Sequence, residues 1–256
     1  VRFKTQHKEP LTKVIREVPK PDSHKEFSSL VLLCPADDYT ICLLYDDTEY
    51  VAGLQIIRTD QFTNSIYDWQ VQGFTHWTVD IKGVSEDYWT TRIYFSSPEY
   101  LQTSADTRIA SRDDTKLLQD KYIYVSGFNG QLHPIPTDVA EIANPASSNF
   151  TEQACMLRMG HHYYYKMSAD VPCDENNMFP AFPLVYNNQL IGLGITMFGK
   201  YTAPKGRKDC FEKPNKLAVK LIVPRGPECL YNLANDPGLV TMHTYFVDEP
   251  KSINCL

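Results

Sequence analysis

The densest group of side chains that could do chemistry lies at residues 160–165, where His161 and His162 precede three consecutive tyrosines. Neighbouring residues of an extended strand face opposite sides, so His161 is predicted to share a face with Tyr163 and Tyr165. His162 is predicted on the other face with Tyr164. One of the two histidines should therefore be more buried than its neighbour.

Imidazole nitrogens are common ligands of copper and zinc, and His76, His133 or His243 could complete a site begun at residues 161–162. No spaced His-x-His motif accompanies them. The alternative is that these histidines are half-buried strand residues whose polar tips bind the backbone or water. The sequence therefore predicts no metal and leaves the cofactor open.

Three pairs of adjacent aspartates are the other acidic clusters: Asp37-Asp38, Asp46-Asp47 and Asp113-Asp114. Adjacent residues on an extended chain point apart, so turn formation or helix capping explains them, with a weak calcium site as the alternative. The motifs of a nucleophile elbow, a zinc-protease helix, a phosphate-binding loop and a dinucleotide-binding loop are absent from the sequence. Nucleophilic hydrolysis is therefore not favoured.

Aromatic residues at 178–183 could wall an apolar pocket. Phe179 and Phe182 are each followed by a proline, and because proline lacks the N–H of a regular ladder, both rings are expected in an irregular segment. Aromatic rings suit a β core as well as an apolar ligand site. The predicted ligand-binding residues are His161, His162, Tyr163, Tyr165, Phe179, Phe182 and His243.

The seven cysteines include no CxxC pair and no regular spacing to histidine, which favours disulfides over zinc. Seven buried thiols of a cytosolic protein are the alternative. An odd number leaves at least one cysteine over, either free or joining a second copy of the chain in a homo-oligomer. The pairing cannot be deduced from the sequence.

The compartment is indicated by two further features. Asn149 begins an Asn-Phe-Thr glycosylation acceptor pattern after a turn-forming stretch. The chain starts at Val1 without an apolar leader, as expected of a processed or trimmed chain. Together with the cysteines, these features predict a secreted, extracellular glycoprotein with disulfide bonds.

The charge distribution limits the partners. The net charge is −6, from 25 basic and 31 acidic residues, without a long basic run. Nucleic-acid binding needs clustered Lys and Arg to contact phosphates and is not expected. No apolar run approaches the roughly 20 residues of a membrane helix, so no membrane span is predicted.

Strand patterns dominate the elements that must position these residues. Residues 39–45 and 50–57 flank an acidic turn and predict a hairpin. Further strands are predicted at 68–81, 88–95, 121–128, 154–167, 182–197, 216–223 and 241–247. A capping box predicts a short helix at 111–119, and 138–143 predicts another.

Two hairpins of the chain share one pattern. Tyr45 precedes an Asp-Asp turn and the run Gly53-Leu-Gln-Ile, and Tyr186 precedes an Asn-Asn turn and the run Gly192-Leu-Gly-Ile. Upstream, His24 and Phe27 precede a cysteine much as a histidine and a tyrosine do before the second hairpin. Convergence is the alternative, since these residues suit half-buried strands anywhere. The preserved order predicts an internal duplication.

The predicted fold is mainly β, with two related antiparallel β units packed together as a tandem duplication and one or two short helices in the connection. The first unit is predicted at 1–104, the connecting segment at 105–137 and the second unit at 138–256. An aromatic-lined ligand cleft is expected between the units.

The predicted function is extracellular binding or storage of a small apolar ligand or a glycan in that cleft. The alternative is an extracellular oxidoreductase that acts on an aromatic or lipid-like substrate through His161, His162 or His243. A structural assembly protein joined through a cysteine is a third hypothesis. The sequence does not decide whether the protein is an enzyme.

Overall fold

The computed structural model describes residues 15–21, 23–35, 38–58, 62–63, 65–81, 84–203 and 209–255. Asp37, of the first aspartate pair, lies outside the described residues. The described chain is mainly β with short helices, as the sequence predicts.

Strands are the main elements: β1 (Ile15–Glu17), β2 (Val31–Pro35), β3 (Ile41–Tyr45), β4 (Val51–Arg58), β5 (Phe62–Thr63), β6 (Thr75–Ile81), β7 (Val84–Tyr94), β8 (Tyr122–Ser126), β9 (Leu132–Pro136), β10 (Phe150–Met156), β11 (Gly160–Tyr165), β12 (Ala181–Tyr186), β13 (Gln189–Phe198), β14 (Lys200–Tyr201) and β15 (Leu239–Tyr245). The α-helices are short: α1 (Pro98–Gln102), α2 (Ala105–Ala110), α3 (Val139–Ile142), α4 (Pro145–Ser148), α5 (Lys216–Ile222) and α6 (Glu228–Leu233). Within the described ranges, none of the helices combines the length and the apolarity that crossing a membrane requires.

The first of two compact units takes the described residues within 1–59, 74–126 and 130–134. Its sheet has the order β1-β2-β3-β4-β7-β8-β9, and β6 pairs with β7. Burial alternates along β3, where Cys42 and Leu44 are fully buried and their neighbours are partly exposed. One face of this strand therefore contributes to the core, as the period of two requires.

The second unit takes the described residues within 60–73, 127–129 and 135–256. Its five strands are antiparallel in the order β10-β11-β12-β13-β15, and β14 pairs with β5. A cluster of buried residues from the sheet, α5 and α6 includes Phe198, Val219, Leu230 and Leu239. The hydroxyl of Tyr231 donates to the carbonyls of residues 223 and 226 and so ties α6 to the end of α5. The predicted domain limits at 104 and 138 stay predictions.

The two glycine-containing hairpins occupy corresponding places, each within its own sheet. Gly53 lies opposite Leu44 on one side and Tyr94 on the other, and Gly192 lies opposite a leucine and a tyrosine in the same way. In both hairpins the register shifts directly after the leucine. The upstream parts differ, because His24 precedes a 3-10 turn whereas the matched histidine lies on β11. The internal duplication stays a prediction.

The strand predicted at 216–223 is wrong, because these residues form helix α5. The side chain of Asn215 accepts a 3.0 Å hydrogen bond from the N–H of Ala218, which caps the helix. Val219 and Val223 are buried while Leu217 is exposed. This spacing of four fits a helix, and the β-branched residues alone did not reveal it.

The helix predicted at 111–119 is also wrong. Helix α2 ends before it, with Ser111 as the C-cap. The carboxylate of Asp113 instead accepts a 2.9 Å hydrogen bond from the N–H of Thr115, which forms a local turn. The helix predicted at 138–143 is confirmed as α3, with Asp138 as its N-cap.

Two of the ranges with strand patterns each form a hairpin. Residues 154–167 fall on β10 and β11, and residues 182–197 on β12 and β13. Asn187 and Asn188 both have positive φ, of 49° and 56°, as a two-residue turn between antiparallel strands requires. The Asn-Asn turn that the sequence predicts after Tyr186 is therefore confirmed.

Candidate functional site

A pocket of about 640 Å³, part of it open to solvent, lies within the second unit. One side is a face of the five-stranded sheet and the other is formed by α5, α6 and the chain around residue 212. The apolar lining residues are Tyr164, Tyr165, Met167, Met178, Phe179, Phe182, Phe198, Pro214, Val219, Ile222, Val223, Leu230 and Leu239. The pocket is therefore mostly aromatic and aliphatic.

The antiparallel register brings the central side chains together. His162 lies opposite Leu184, Phe182 opposite Gly194, and Gly194 opposite His243. Directly opposed residues share a face, and so do alternate residues of one strand. Three separate strands therefore contribute His162, Phe182 and His243 to the same wall.

Phe182 is the centre of this wall, and Gly194 makes room for it. A Cβ atom at position 194 would overlap the Phe182 ring. The ring is stacked with Tyr164 at a centroid distance of 4.7 Å and lies 5.5 Å from both His162 and His243. A side chain larger than hydrogen at position 194 would displace the ring.

The expectation that Phe182 lies in an irregular segment is wrong, since it belongs to β12. Proline is tolerated there because β11 pairs with β12 only at Leu184 and Val185. The missing N–H of Pro183 falls outside that pairing. Phe179, by contrast, lies outside the strands, as expected.

Five of the seven predicted ligand-binding residues line the pocket, namely His162, Tyr165, Phe179, Phe182 and His243. Tyr165 reaches its rim from the end of β11, where its ring lies 5.0 Å from that of Phe179. Whether any of these residues binds a ligand stays a prediction.

The structure does not bring His161 and Tyr163 to the pocket. They lie on the opposite face of β11, where Nδ1 of His161 is 2.8 Å from a carboxylate oxygen of Glu152. Tyr163 is buried, and burial together with the Glu152 charge raises its pKa to about 12. The face alternation that the sequence predicts therefore separates the two neighbouring histidines.

His162 is buried in the neutral form. Its ring is 1% exposed, and Nδ1 lies 3.2 Å from the carbonyl oxygen of Gly160. Burial, assisted by the nearby His243, lowers the pKa of His162 to about 3. This side chain is thus an uncharged part of the pocket wall at physiological pH.

The polar end of the pocket is formed by Glu212, His243 and Thr196. Glu212 and Thr241 exchange two backbone hydrogen bonds of 2.8 and 2.9 Å, which fixes residue 212 beside β15. One carboxylate oxygen of Glu212 lies 3.5 Å from Nδ1 of His243, and the imidazole lowers the pKa of this carboxyl. Its position depends on the fold, because 31 residues separate the pair in sequence.

Some buried polar atoms at this end are unsatisfied. Nε2 of His243 and the hydroxyl of Thr196 make no hydrogen bond to a described residue, while Nδ1 of His243 lies beside the Glu212 carboxylate. The His243 side chain is 7% exposed, and Thr196 is also 7% exposed. Buried polar groups without a protein partner are uncommon and usually have a structural or functional reason.

Sequence reasoning missed Thr196 and Glu212. A threonine inside the apolar run of β13 was a usable signal, because a buried hydroxyl needs a partner. Glu212 gave no such signal, since it follows a segment without a strand or helix pattern.

The aspartate pairs were predicted to form turns. Asp46 fits this prediction, because its carboxylate accepts hydrogen bonds from the N–H groups of Thr48 and Tyr50.

A second pocket, of about 470 Å³, lies in the first unit and is more polar. The guanidinium carbon of Arg112 lies 3.3 Å from the centroid of the Tyr50 ring, and Lys116 pairs with Asp113 at 3.3 Å. Both cationic side chains therefore already have partners in the chain.

No group of three or more His, Cys, Asp and Glu side chains in the described part of the chain could hold a metal ion. The oxidoreductase hypothesis stays a prediction, and so does the cleft between two units. The pocket described above lies wholly within the second unit.

Three disulfides join six of the seven cysteines: Cys34–Cys42, Cys155–Cys255 and Cys173–Cys229. The prediction of disulfides is confirmed. Cys210 is exposed and belongs to none of the three, and a homo-oligomer linked through it stays a prediction.

Neither a family model, nor a curated protein, nor a solved structure matches this chain. The function has to be argued from the geometry of the site.

Proposed function

We propose that the protein is an extracellular binding protein that holds a small apolar ligand in the pocket of its second unit. The observation that carries this proposal is a pocket of about 640 Å³ with an aromatic and aliphatic lining and a few polar atoms at one end. Small-molecule sites are typically concave, lined mainly by apolar and aromatic side chains, with a few placed polar groups.

An apolar ligand is favoured over a glycan. The sugar hydroxyls of a glycan lose their hydration on burial and need several side-chain hydrogen-bond partners. The polar side chains that line this pocket are few: His162, Thr196, Glu212, Thr241 and His243. His162 is already bonded to the backbone.

The proposed extracellular location rests on the disulfides, because such bonds persist mainly in oxidising compartments. Asn149 is partly exposed and ends helix α4 just before β10. A glycan on Asn149 is part of the proposal, and a mass difference that disappears in N149Q protein from a secreting host tests it.

The test of ligand binding is titration with N-phenyl-1-naphthylamine, a neutral apolar dye whose fluorescence rises on burial. We expect saturable binding of one dye per chain. Ile222 lines the pocket, so I222W should fill it and weaken binding by about tenfold or more.

The matched control is L221W, which places the same side chain on the next residue of α5. Leu221 is 58% exposed and does not line the pocket, so L221W should bind the dye like the wild type. Circular dichroism and thermal unfolding check that both variants fold. Absence of saturable binding to the wild type, or equal binding by a folded I222W, would refute the proposal.

A further inference from the structure

We infer that the ligand carries a neutral hydroxyl group, as an alcohol or a phenol does, and that this group lies between Thr196 and His243. The inference rests on the proposed function and specifies the ligand class. The second-unit pocket has an apolar body and one polar end, so the ligand should also have an apolar body and one polar group.

The polar end offers both kinds of hydrogen-bonding group. The Thr196 hydroxyl can donate and accept, and a neutral imidazole donates from one nitrogen and accepts at the other. The Thr196 hydroxyl and Nε2 of His243 meet no partner among the described residues, whereas Nδ1 of His243 faces the Glu212 carboxylate. A hydroxyl also donates once and accepts, so a single ligand group satisfies both side chains.

The register places the two side chains side by side. Thr196 lies opposite Thr241 and Gly194 lies opposite His243, so positions 196 and 243 are diagonal neighbours on one face. Position 194 has no side chain of its own, and the Phe182 ring fills the space above it. Side chains at such diagonal positions are close enough for one small group to contact both.

The charge at this end argues against an anionic ligand, and hydrogen bonding and hydration argue against a cationic one. Glu212 is the charged residue among the described lining residues, and its carboxylate lies beside His243. A ligand carboxylate would be repelled by it. An ammonium group cannot accept from the Thr196 hydroxyl, and it would lose hydration against an apolar wall.

The experiment compares four naphthalenes that differ in one substituent: 2-naphthol, 2-methylnaphthalene, 2-naphthoate and 2-(aminomethyl)naphthalene. Each displaces the neutral dye from the wild type, T196V, H243F and H161F at neutral pH. Valine replaces the hydroxyl of Thr196 by a methyl group of similar size. H161F is the control for H243F, because His161 lies on the other face of the sheet.

We expect the wild type and H161F to bind 2-naphthol about tenfold more tightly than 2-methylnaphthalene, the gain of one or two hydrogen bonds. In T196V and H243F this preference should disappear while 2-methylnaphthalene binds as before. The methyl compound, the amine and the acid should all bind the wild type more weakly than the naphthol.

Equal binding of naphthol and methylnaphthalene by the wild type would overturn the inference and leave the proposed function intact. Tighter binding of the acid or the amine would overturn it in favour of a charged head group. Loss of the naphthol preference in H161F as well would show that the effect is not located at the polar end. Failure of every probe to displace the dye, with no saturable dye binding, would refute the proposed function itself.

Discussion

The two adjacent histidines show how strongly one residue of offset changes the environment of a side chain. His161 lies beside Glu152 on one face, while His162 is 1% exposed on the other. The two histidines thus differ in exposure because successive side chains of a strand point to opposite faces. His162 is therefore the histidine whose titration should affect stability, and His161 serves as the control for substitutions at His162.

At the residue scale we predict that His162 makes stability depend on pH. The folded protein keeps the pKa of this ring near 3, whereas an unfolded chain binds the proton at about 6.5. The unfolded state therefore gains the proton first as the pH falls. The contribution of His162 is complete above about 6.5 and is lost toward pH 3, by up to about 1.4 kcal/mol per pH unit.

Urea unfolding at several pH values checks this prediction. H162Q removes the titrating group, so its free energy of unfolding should fall less steeply with decreasing pH than that of the wild type. H161Q should keep the wild-type slope. Parallel pH profiles for the wild type and H162Q would contradict the assignment.

At the scale of elements, the pocket depends on close contact between β12, β13 and β15. Gly194 of β13 lies under the Phe182 ring of β12, and this ring reaches across β13 to His243 of β15. Interiors are close-packed, so an added methyl group must move its neighbours. The covering helix α5 depends on Asn215 for its start.

We predict that G194A lowers the free energy of unfolding by about 2 kcal/mol, because the new Cβ overlaps the Phe182 ring. F182L shortens that side chain and should relieve the overlap. The same G194A change made in F182L should therefore cost clearly less than in the wild type. Equal costs in both backgrounds, measured by urea unfolding, would show that the ring is not what excludes a side chain at position 194.

At the scale of the whole molecule, disulfides fix parts of the chain that no local pattern connects. Cys155–Cys255 spans 100 residues and ties the end of the described chain to β10. The N–H of Arg158 also bonds to the carbonyl of Ile253 at 3.0 Å. Cys34–Cys42 spans 8 residues and joins two neighbouring strands.

We predict that the longer loop gives the larger stabilisation. Chain entropy assigns about 5 kcal/mol to a 100-residue loop and about 2.5 kcal/mol to an 8-residue loop. The double variant C155S/C255S should therefore lose more free energy of unfolding than C34S/C42S, as measured by urea unfolding of the oxidised proteins. A larger loss for the short loop would contradict the entropic explanation.

The sequence by itself determined the local features of this protein. Alternation and turn residues predicted the mainly β class, the Gly53 hairpin and the opposite faces of His161 and His162, because these depend on neighbours in the chain. It failed where the patterns of helix and strand overlap, as for the β-branched residues of α5.

The tertiary structure alone decided the cysteine pairing and the polar end of the pocket. Glu212 meets His243, and Thr196 lies diagonal to it, only because β13 and β15 pair in one particular register. A shift of one residue would move every second side chain to the other face. Such contacts join residues far apart in sequence, and their energy comes from packing that no single segment contains.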